Sequence, residues 1–182
     1  HLFITVCMKS RPDKRTNTKT YSGKYHVKNP ERYKGNASDV IYRSHWEKAC
    51  FIWLDEHKDV KWWNSEEFVV RYFYDVDKVW RRYFIDLTIK WKNGKTLLVE
   101  VKPKKQCQPP KVKKPKSKRS LNEAFAWVMN CNKWEAADKV AKDNGWEFVI
   151  WTEDELKRFG IMKKQPGKLN ALPRYSKKKK LT

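Results

Sequence analysis

Two acids and a lysine stand near one another in an otherwise aliphatic stretch: Asp86 within RRYFIDLTIKW, then Glu100 and Lys102 within KTLLVEVK, on either side of Asn93-Gly94. Asn-Gly between two alternating apolar runs signals a hairpin turn, and the loop length decides which side chains share a face. A two-residue loop sets Asp86 opposite Val101 and mixes polar with apolar residues on both faces. A three-residue loop, Lys92-Asn93-Gly94 with Gly94 in the left-handed position of a bulge, sets Asp86 opposite Glu100. One face then carries Ile85, Leu87, Ile89, Trp91, Leu97, Val99 and Val101, and the other Asp86, Thr88, Glu100 and Lys102 with only Leu98 apolar. The hydrophobic pattern selects the second register. Two carboxylates directly opposite on adjacent strands repel unless one takes a proton or a cation lies between them, and a divalent metal is the simplest compensation. Lys102 follows on the same face at about 6–7 Å, close enough to polarise a water or hold a scissile phosphate. This is the set that metal-assisted phosphodiester hydrolysis requires. The competing explanation is a solvated strand face with a few charges, against which stand the facing acids, the E-x-K spacing and the basic surroundings.

Those surroundings are strongly cationic. The 182 residues hold 42 Lys+Arg against 21 Asp+Glu, a formal charge of +21, which is the footprint of a nucleic-acid binder. An anionic membrane surface is the alternative partner, but no strongly amphipathic basic helix supports it, and no run approaches the ~18–20 apolar residues of a membrane span. Mean hydropathy is −0.92, yet 40% of residues are hydrophobic and ten are Trp, enough for a core and too much for wholesale disorder. Leu2 to Met8 is too short for a typical signal peptide, so a soluble, non-secreted protein is expected. Cys7, Cys50, Cys107 and Cys131 form no CxxC, and His1, His26, His45 and His57 show no ligand spacing. Zinc and a disulfide framework are disfavoured, and carboxylates favour Mg²⁺ or Mn²⁺.

The elements that must position the acids follow from periodicity. Ser44 to His57 reads as a helix with Trp46, Ala49, Cys50, Trp53 and Leu54 on one stripe and Ser44 and Glu47 as a capping box. Ser65 to Tyr74 reads as a strand, Asp75 to Lys78 as a turn, and Arg81 to Trp91 and Lys95 to Lys102 as two further strands. Ser120 to Asn144 is a long helix with Ala124, Phe125, Val128 and Val140 among its apolar positions, a second box at Ser120 and Glu123, and Gly145 to end it. Trp146 to Trp151 is a fourth strand, and Thr152 with Glu155 opens a short last helix. Helix, three-strand meander, helix, strand, helix makes a mixed α/β domain around a central sheet. Residues 1–37 read as a basic N-terminal arm lying on the domain or on a partner, with 1–7 upstream of Met8 as an extension. Residues 38–162 read as the folded domain, interrupted by a Pro/Lys-rich loop at 103–119, and 163–182 as a basic tail.

The acids, the lysine and their strands resemble the PD-(D/E)xK nuclease superfamily, whose restriction-endonuclease-like core runs α-β-β-β-α-β. The longer string resembles the head completion nucleases of T4-like tailed bacteriophages, related in fold to the TnsA transposase endonuclease. It comprises S-x-x-E at Ser44–Glu47, the strand after Ser65-Glu66-Glu67, RRYFIDLTI, LLVEVKPKKQ, NKWEAA and W-x-F-x-I-W-T-E, over roughly residues 17–160. Ile85 stands where the superfamily pattern has proline. The resemblance implies Asp86 and Glu100 as metal-binding acids, Lys102 as the catalytic lysine, and Glu47 as the additional acid of this branch. Helical geometry places Glu47 about 100° from Trp46 and about 20° from Leu54, at the edge of the buried stripe. Lys133, in NKWEAA, matches a position facing the site. Arg43, His45, Arg81, Arg82, Lys104 and Lys105 flank the centre as candidate phosphate contacts, each with solvated surface charge as its alternative. Glu67 is a possible further acid.

The expected activity is a Mg²⁺-dependent DNA endonuclease, with Mn²⁺ able to substitute, that holds double-stranded DNA by its backbone, since no helix-turn-helix or zinc finger reads bases. The resemblance implies work on packaged DNA during phage head completion, in the host cytoplasm and in association with portal or neck proteins, with the protein able to remain on the virion. A basic structural protein of the phage head and a resolvase- or transposase-type endonuclease are the alternatives.

Overall fold

A computed structural model describes residues 21–111 and 117–162. The expectations for residues 1–20, the middle of the Pro/Lys-rich loop and the tail at 163–182 lie outside the described residues. Strands β1 (Gly23–Tyr25) and β2 (Val40–Tyr42) pair with each other, and α1 (His45–Glu56) follows. Then come β3 (Val60–Asn64), β4 (Val69–Tyr74), β5 (Val79–Phe84), β6 (Leu87–Trp91), β7 (Thr96–Val101), α2 (Lys118–Asp143), β8 (Glu147–Trp151) and α3 (Glu153–Arg158). The central sheet has the order β3-β6-β7-β8, antiparallel except for the parallel β7–β8 pair. The mixed α/β architecture is the expected one. One core packs α1 and α3 on the face of Leu87, Ile89 and Val99, around Phe51, Leu54, Trp63 and Leu156. A second core packs α2 and the β4–β5 ribbon on the other face, around Val70, Tyr72, Tyr83, Leu98, Ala137 and Ala141.

The β6–β7 register is the one the three-residue loop requires, with Leu87 opposite Val99 and Ile89 opposite Leu97, and Gly94 has the left-handed φ of +93°. Helix α1 starts at the N-cap Ser44, whose hydroxyl accepts from Glu47 N at 3.1 Å. Its buried stripe includes Phe51 and Asp55 as well as Cys50 and Leu54, while Trp46 and Trp53 are half-buried. Helix α3 has the expected Thr152–Glu155 capping box. Helix α2 begins earlier than the second box suggests: Ser117, not Ser120, is its N-cap, accepting from Ser120 N at 3.2 Å. Lys118 and Arg119 therefore belong to the helix, not to the loop. At its far end Gly145 N donates to Lys142 O and Trp146 N to Ala141 O, a Schellman closure. Phe125, placed among its apolar positions, is exposed.

Two larger corrections concern the site's supports. The segment from Tyr21 to residue 37, expected as part of an arm, is built into the fold. Tyr25 and Tyr33 are buried in the first core, and Arg32 donates to the carbonyls of Asp55, His57 and Val60, closing the C-terminal end of α1. Lys34 N donates to Trp63 O at 2.9 Å, so this segment also holds the edge strand β3, which the periodicity missed. Second, the strand expected from 65 to 74 forms only over Val69–Tyr74, and the one expected to run unbroken from 81 to 91 is broken at Ile85-Asp86. The β3–β6 and β4–β5 ladders are out of step by one residue, with five steps from Asn64 to Val69 but four from Phe84 to Thr88. The extra residue makes a bulge, and Glu66 in it adopts φ +56°. Past the bulge the faces exchange, so Ile85 packs in the second core beside Leu98 and not with Leu87.

Candidate active site

Asp86 lies at this bulge, between β5 and β6. In a continued β6–β7 ladder, Val101 N would donate to Ile85 O. The bend instead gives Ile85 O to Glu66 N at 3.1 Å, and the Asp86 carboxylate takes the vacated donor, its Oδ2 accepting from Val101 N at 2.8 Å. The Asp86 side chain is thereby fixed beside Glu100, the next residue back on β7. Burial, and then the Glu100 charge, push the Asp86 carboxyl well above the usual carboxylate range, against the pull of Val101 N and Lys102. The repulsion that the pattern implied is present.

Glu100 is buried, and each of its oxygens has one partner. Its Oε1 pairs with Lys102 Nζ and its Oε2 accepts from the Tyr83 hydroxyl. Burial and the Glu100 and Asp86 charges push the Tyr83 hydroxyl far up, so it remains a proton donor. Lys102 also donates to Asn130 Oδ1 at 3.3 Å and lies 5.7 Å from the Trp134 ring centroid. Lys133 Nζ sits 5.3 Å over the Tyr83 ring and 5.9 Å over that of Tyr72. Desolvation lowers its pKa, and Glu100 raises it in part. Helix α2 therefore brings Asn130, Lys133 and Trp134 to the acid face of the sheet.

Glu47 is held at the start of α1. Its Oε2 accepts from Arg43 N at 2.8 Å and its Oε1 from Ser44 Oγ at 2.9 Å. Burial, as the largest cause, raises its pKa despite these bonds, and its charge in turn raises that of Asp86. Ser44 caps the helix, but Glu47 reaches back to Arg43 N, one residue before the N-cap, so the expected reciprocal box is not closed, and Glu47 stands within electrostatic reach of the pair. Arg43 forms a bidentate pair with Glu66 at 2.8 and 2.9 Å and feels the charges of Glu47 and Asp86. Four acids and three cations thus share one region.

Among the described residues no three Asp, Glu, His or Cys side chains converge to hold one ion. The donor set is therefore the Asp86–Glu100 pair with charge support from Glu47. That set fits Mg²⁺, which binds through one or two carboxylates and keeps several waters, and the raised Asp86 carboxyl is the demand a cation would relieve.

The other flanking cations divide. Arg82 and Lys105 are exposed. Arg81 pairs with Asp77 and covers the Tyr74 ring at 4.4 Å. Lys104 turns to α3, pairing with Asp154 at 2.8 Å while its backbone N donates to Glu153. His45 is exposed and stacked on Tyr21. The structure thus gathers Arg43, Lys102 and Lys133 around the acids and directs Lys104 elsewhere. A cleft lined by Trp53, Trp91, Trp151 and Phe159 opens on the opposite face of the sheet, away from the acids.

Tyr83, Asn130 and Trp134 escaped the sequence reading. For the α2 residues a signal existed: Asn130, Lys133, Trp134, Ala137 and Ala141 recur at three and four residues, and the two alanines mark the face that packs closest.

Residues 57–153 match the family model described as TnsA-like endonuclease N terminal. The chain belongs to the TnsA-like endonuclease family. The matched segment of this TnsA-like chain runs from the end of α1 into α3 and contains Asp86, Glu100, Lys102 and Lys133. Over 145 residues the chain is also 40% identical to the head completion nuclease of Enterobacteria phage T4, an alignment that covers 78% of this chain and 97% of that protein. The central sheet and its layers are the restriction-endonuclease-like fold of this family.

Proposed function

We propose that this endonuclease hydrolyses phosphodiester bonds of double-stranded DNA during completion of the phage head, with Asp86 and Glu100 as metal-binding acids and Lys102 as the catalytic lysine. The observation that carries the reading is the Asp86–Glu100–Lys102 set at the bulge. The buried Glu100 and half-buried Asp86 carboxylates lie side by side, and the neighbouring ammonium is held by Glu100 and Asn130. Mg²⁺, or Mn²⁺ in its place, would be held by Asp86 and Glu100 and would supply Lewis-acid polarisation of the scissile phosphate and a nucleophilic water.

The chain's own residues do the rest. Val101 N fixes the Asp86 carboxylate, the Tyr83 hydroxyl fixes that of Glu100, and Asn130 aims the Lys102 ammonium. Arg43 and Lys133 add positive charge beside the acids, and Arg81, Arg82, Lys105 and His45 belong to the wider basic surface that meets the backbone, while Lys104 is turned to Asp154 on α3. Glu47 orders the start of α1 and adds negative charge facing the cation. Portal or neck proteins of the head are the expected partners, in the host cytoplasm during assembly and then on the particle.

The test is cleavage of linear and supercoiled DNA with Mg²⁺, Mn²⁺ or EDTA. Metal-dependent cutting that falls by at least about 10²-fold in Asp86→Asn and Lys102→Ala, with DNA binding retained, supports the assignment. A wild type that binds DNA and never cuts, with either metal and at high enzyme, removes it.

A further inference from the structure

The β4–β5 ribbon leads straight into the acid centre, and its outer face is unlike the rest of the surface. Along β4 the exposed residues are Val69, Arg71 and Phe73, and their cross-strand partners are Phe84, Arg82 and Trp80. Trp80 is 62% exposed, the largest exposure among the big hydrophobic residues described. Its ring meets Phe73 edge-on at 5.6 Å, and the Arg71 guanidinium lies 5.7 Å over it. Arg71 and Arg82 stand directly opposite each other, and among the described residues neither has a carboxylate partner. Facing like charges destabilise a ribbon unless an anion joins them. The ribbon therefore offers uncompensated guanidiniums beside aromatic rings left open to solvent.

We propose that this face docks a single-stranded segment of DNA beside the cleavage centre. Trp80 and Phe73 stack on an unstacked base, and Arg71 and Arg82 hold the phosphates next to it. The inference takes its ligand class from the nuclease reading and adds the preferred substrate: DNA with a single-stranded end or tail. In a closed duplex each base face is covered by its neighbour, so an exposed aromatic platform finds a partner only where bases are unstacked. Trp80 lies six residues before Asp86, at most ~20 Å of extended chain, the length of about six stacked nucleotides. A strand held on the ribbon thus reaches the acids without leaving the protein.

The test is binding of the full chain, in EDTA, to a short blunt duplex and to the same duplex carrying a single-stranded tail, followed by fluorescence anisotropy. Wild type should prefer the tailed DNA. Trp80→Ala should lose about tenfold on the tailed DNA and leave blunt-duplex affinity nearly unchanged, while Trp80→Phe keeps most of the preference. The double variant Arg71→Ala/Arg82→Ala should weaken binding to both and flatten the salt dependence. Trp80 is exposed, so its loss removes no core contact, and unchanged thermal melting checks this. Equal tailed-DNA affinity in Trp80→Ala and wild type overturns the proposal, as does an equal loss on blunt and tailed DNA. Because EDTA separates binding from cutting, the two readings fail separately. A protein that never cuts but shows the Trp80-dependent preference keeps this inference. One that cuts while its tail preference ignores Trp80 keeps only the nuclease.

Discussion

Asp86 is under opposing demands that can be separated by experiment. Its carboxylate completes the sheet through Val101 N, yet burial and Glu100 disfavour its charge. Asp86→Asn keeps an oxygen to accept from Val101 N and removes the charge. The metal-free variant should therefore be more stable than wild type at neutral pH by about 1 kcal/mol, or about 2–4 °C in Tm, while cleavage is lost. The sign of the pH dependence follows from the direction of the shift. A carboxyl whose folded pKa lies above its unfolded one stabilises the fold below the unfolded value, and that contribution is lost as pH rises through the folded value. The gap between variant and wild type should thus be widest at neutral pH and close as pH falls toward about 4, the ordinary carboxylate range. Urea unfolding in EDTA across that range measures it, and a gap independent of pH would show that the repulsion is not what Asp86 contributes.

At the scale of elements, the bulge depends on a segment remote in sequence. Tyr33 Oη accepts from Ser65 N at 3.2 Å, at the first residue past β3, and Lys34 holds Trp63. The segment carrying both is anchored on Asp55, a fully buried carboxylate that accepts from Tyr25 Oη at 2.9 Å, Lys28 N at 2.7 Å and Asn29 N at 3.2 Å. Asp55→Ala strands three donors and should cost about 2–4 kcal/mol in urea unfolding. Cleavage should fall with it, since β3 loses its outer support. These links explain what the sequence could and could not disclose. The hairpin register was legible because a one-residue slip would have put Asp86 among aliphatics. The break at Ile85 was not, because the extra residue lies in the partner segment between Asn64 and Val69, and Tyr83, Ile85, Leu87 and Ile89 keep one unbroken alternation across the point where the faces exchange. Strand β3, Val-Lys-Trp-Trp-Asn, is too short and too mixed to alternate clearly. Ser117 and Ser120 sit three apart in one basic run and offer similar caps, and only the fold decides between them. The docked N-terminal segment is polar in composition, and its two buried tyrosines are held by hydrogen bonds to residues some thirty positions away.

Over the whole molecule, charge of one sign surrounds a centre of the other. The net +21 draws DNA in, and each phosphate contact steepens the fall of affinity with salt by about 0.9 in the log–log slope. On the proposed assignment the scissile phosphate approaches Asp86 and Glu100, whose charges repel it unless a cation lies between. Without metal the acids therefore work against binding, and Asp86→Asn should bind DNA more tightly than wild type in EDTA, by about 1 kcal/mol for one unit charge near the surface. Mg²⁺ should erase that difference by strengthening only the wild type, while the salt slopes of the two proteins stay nearly parallel because the phosphate contacts lie outside the centre. Anisotropy titrations with and without metal, over a range of salt, measure both quantities. If the variant and wild type bind equally in EDTA, the phosphate does not come within reach of Asp86, and the acid pair does not face the DNA.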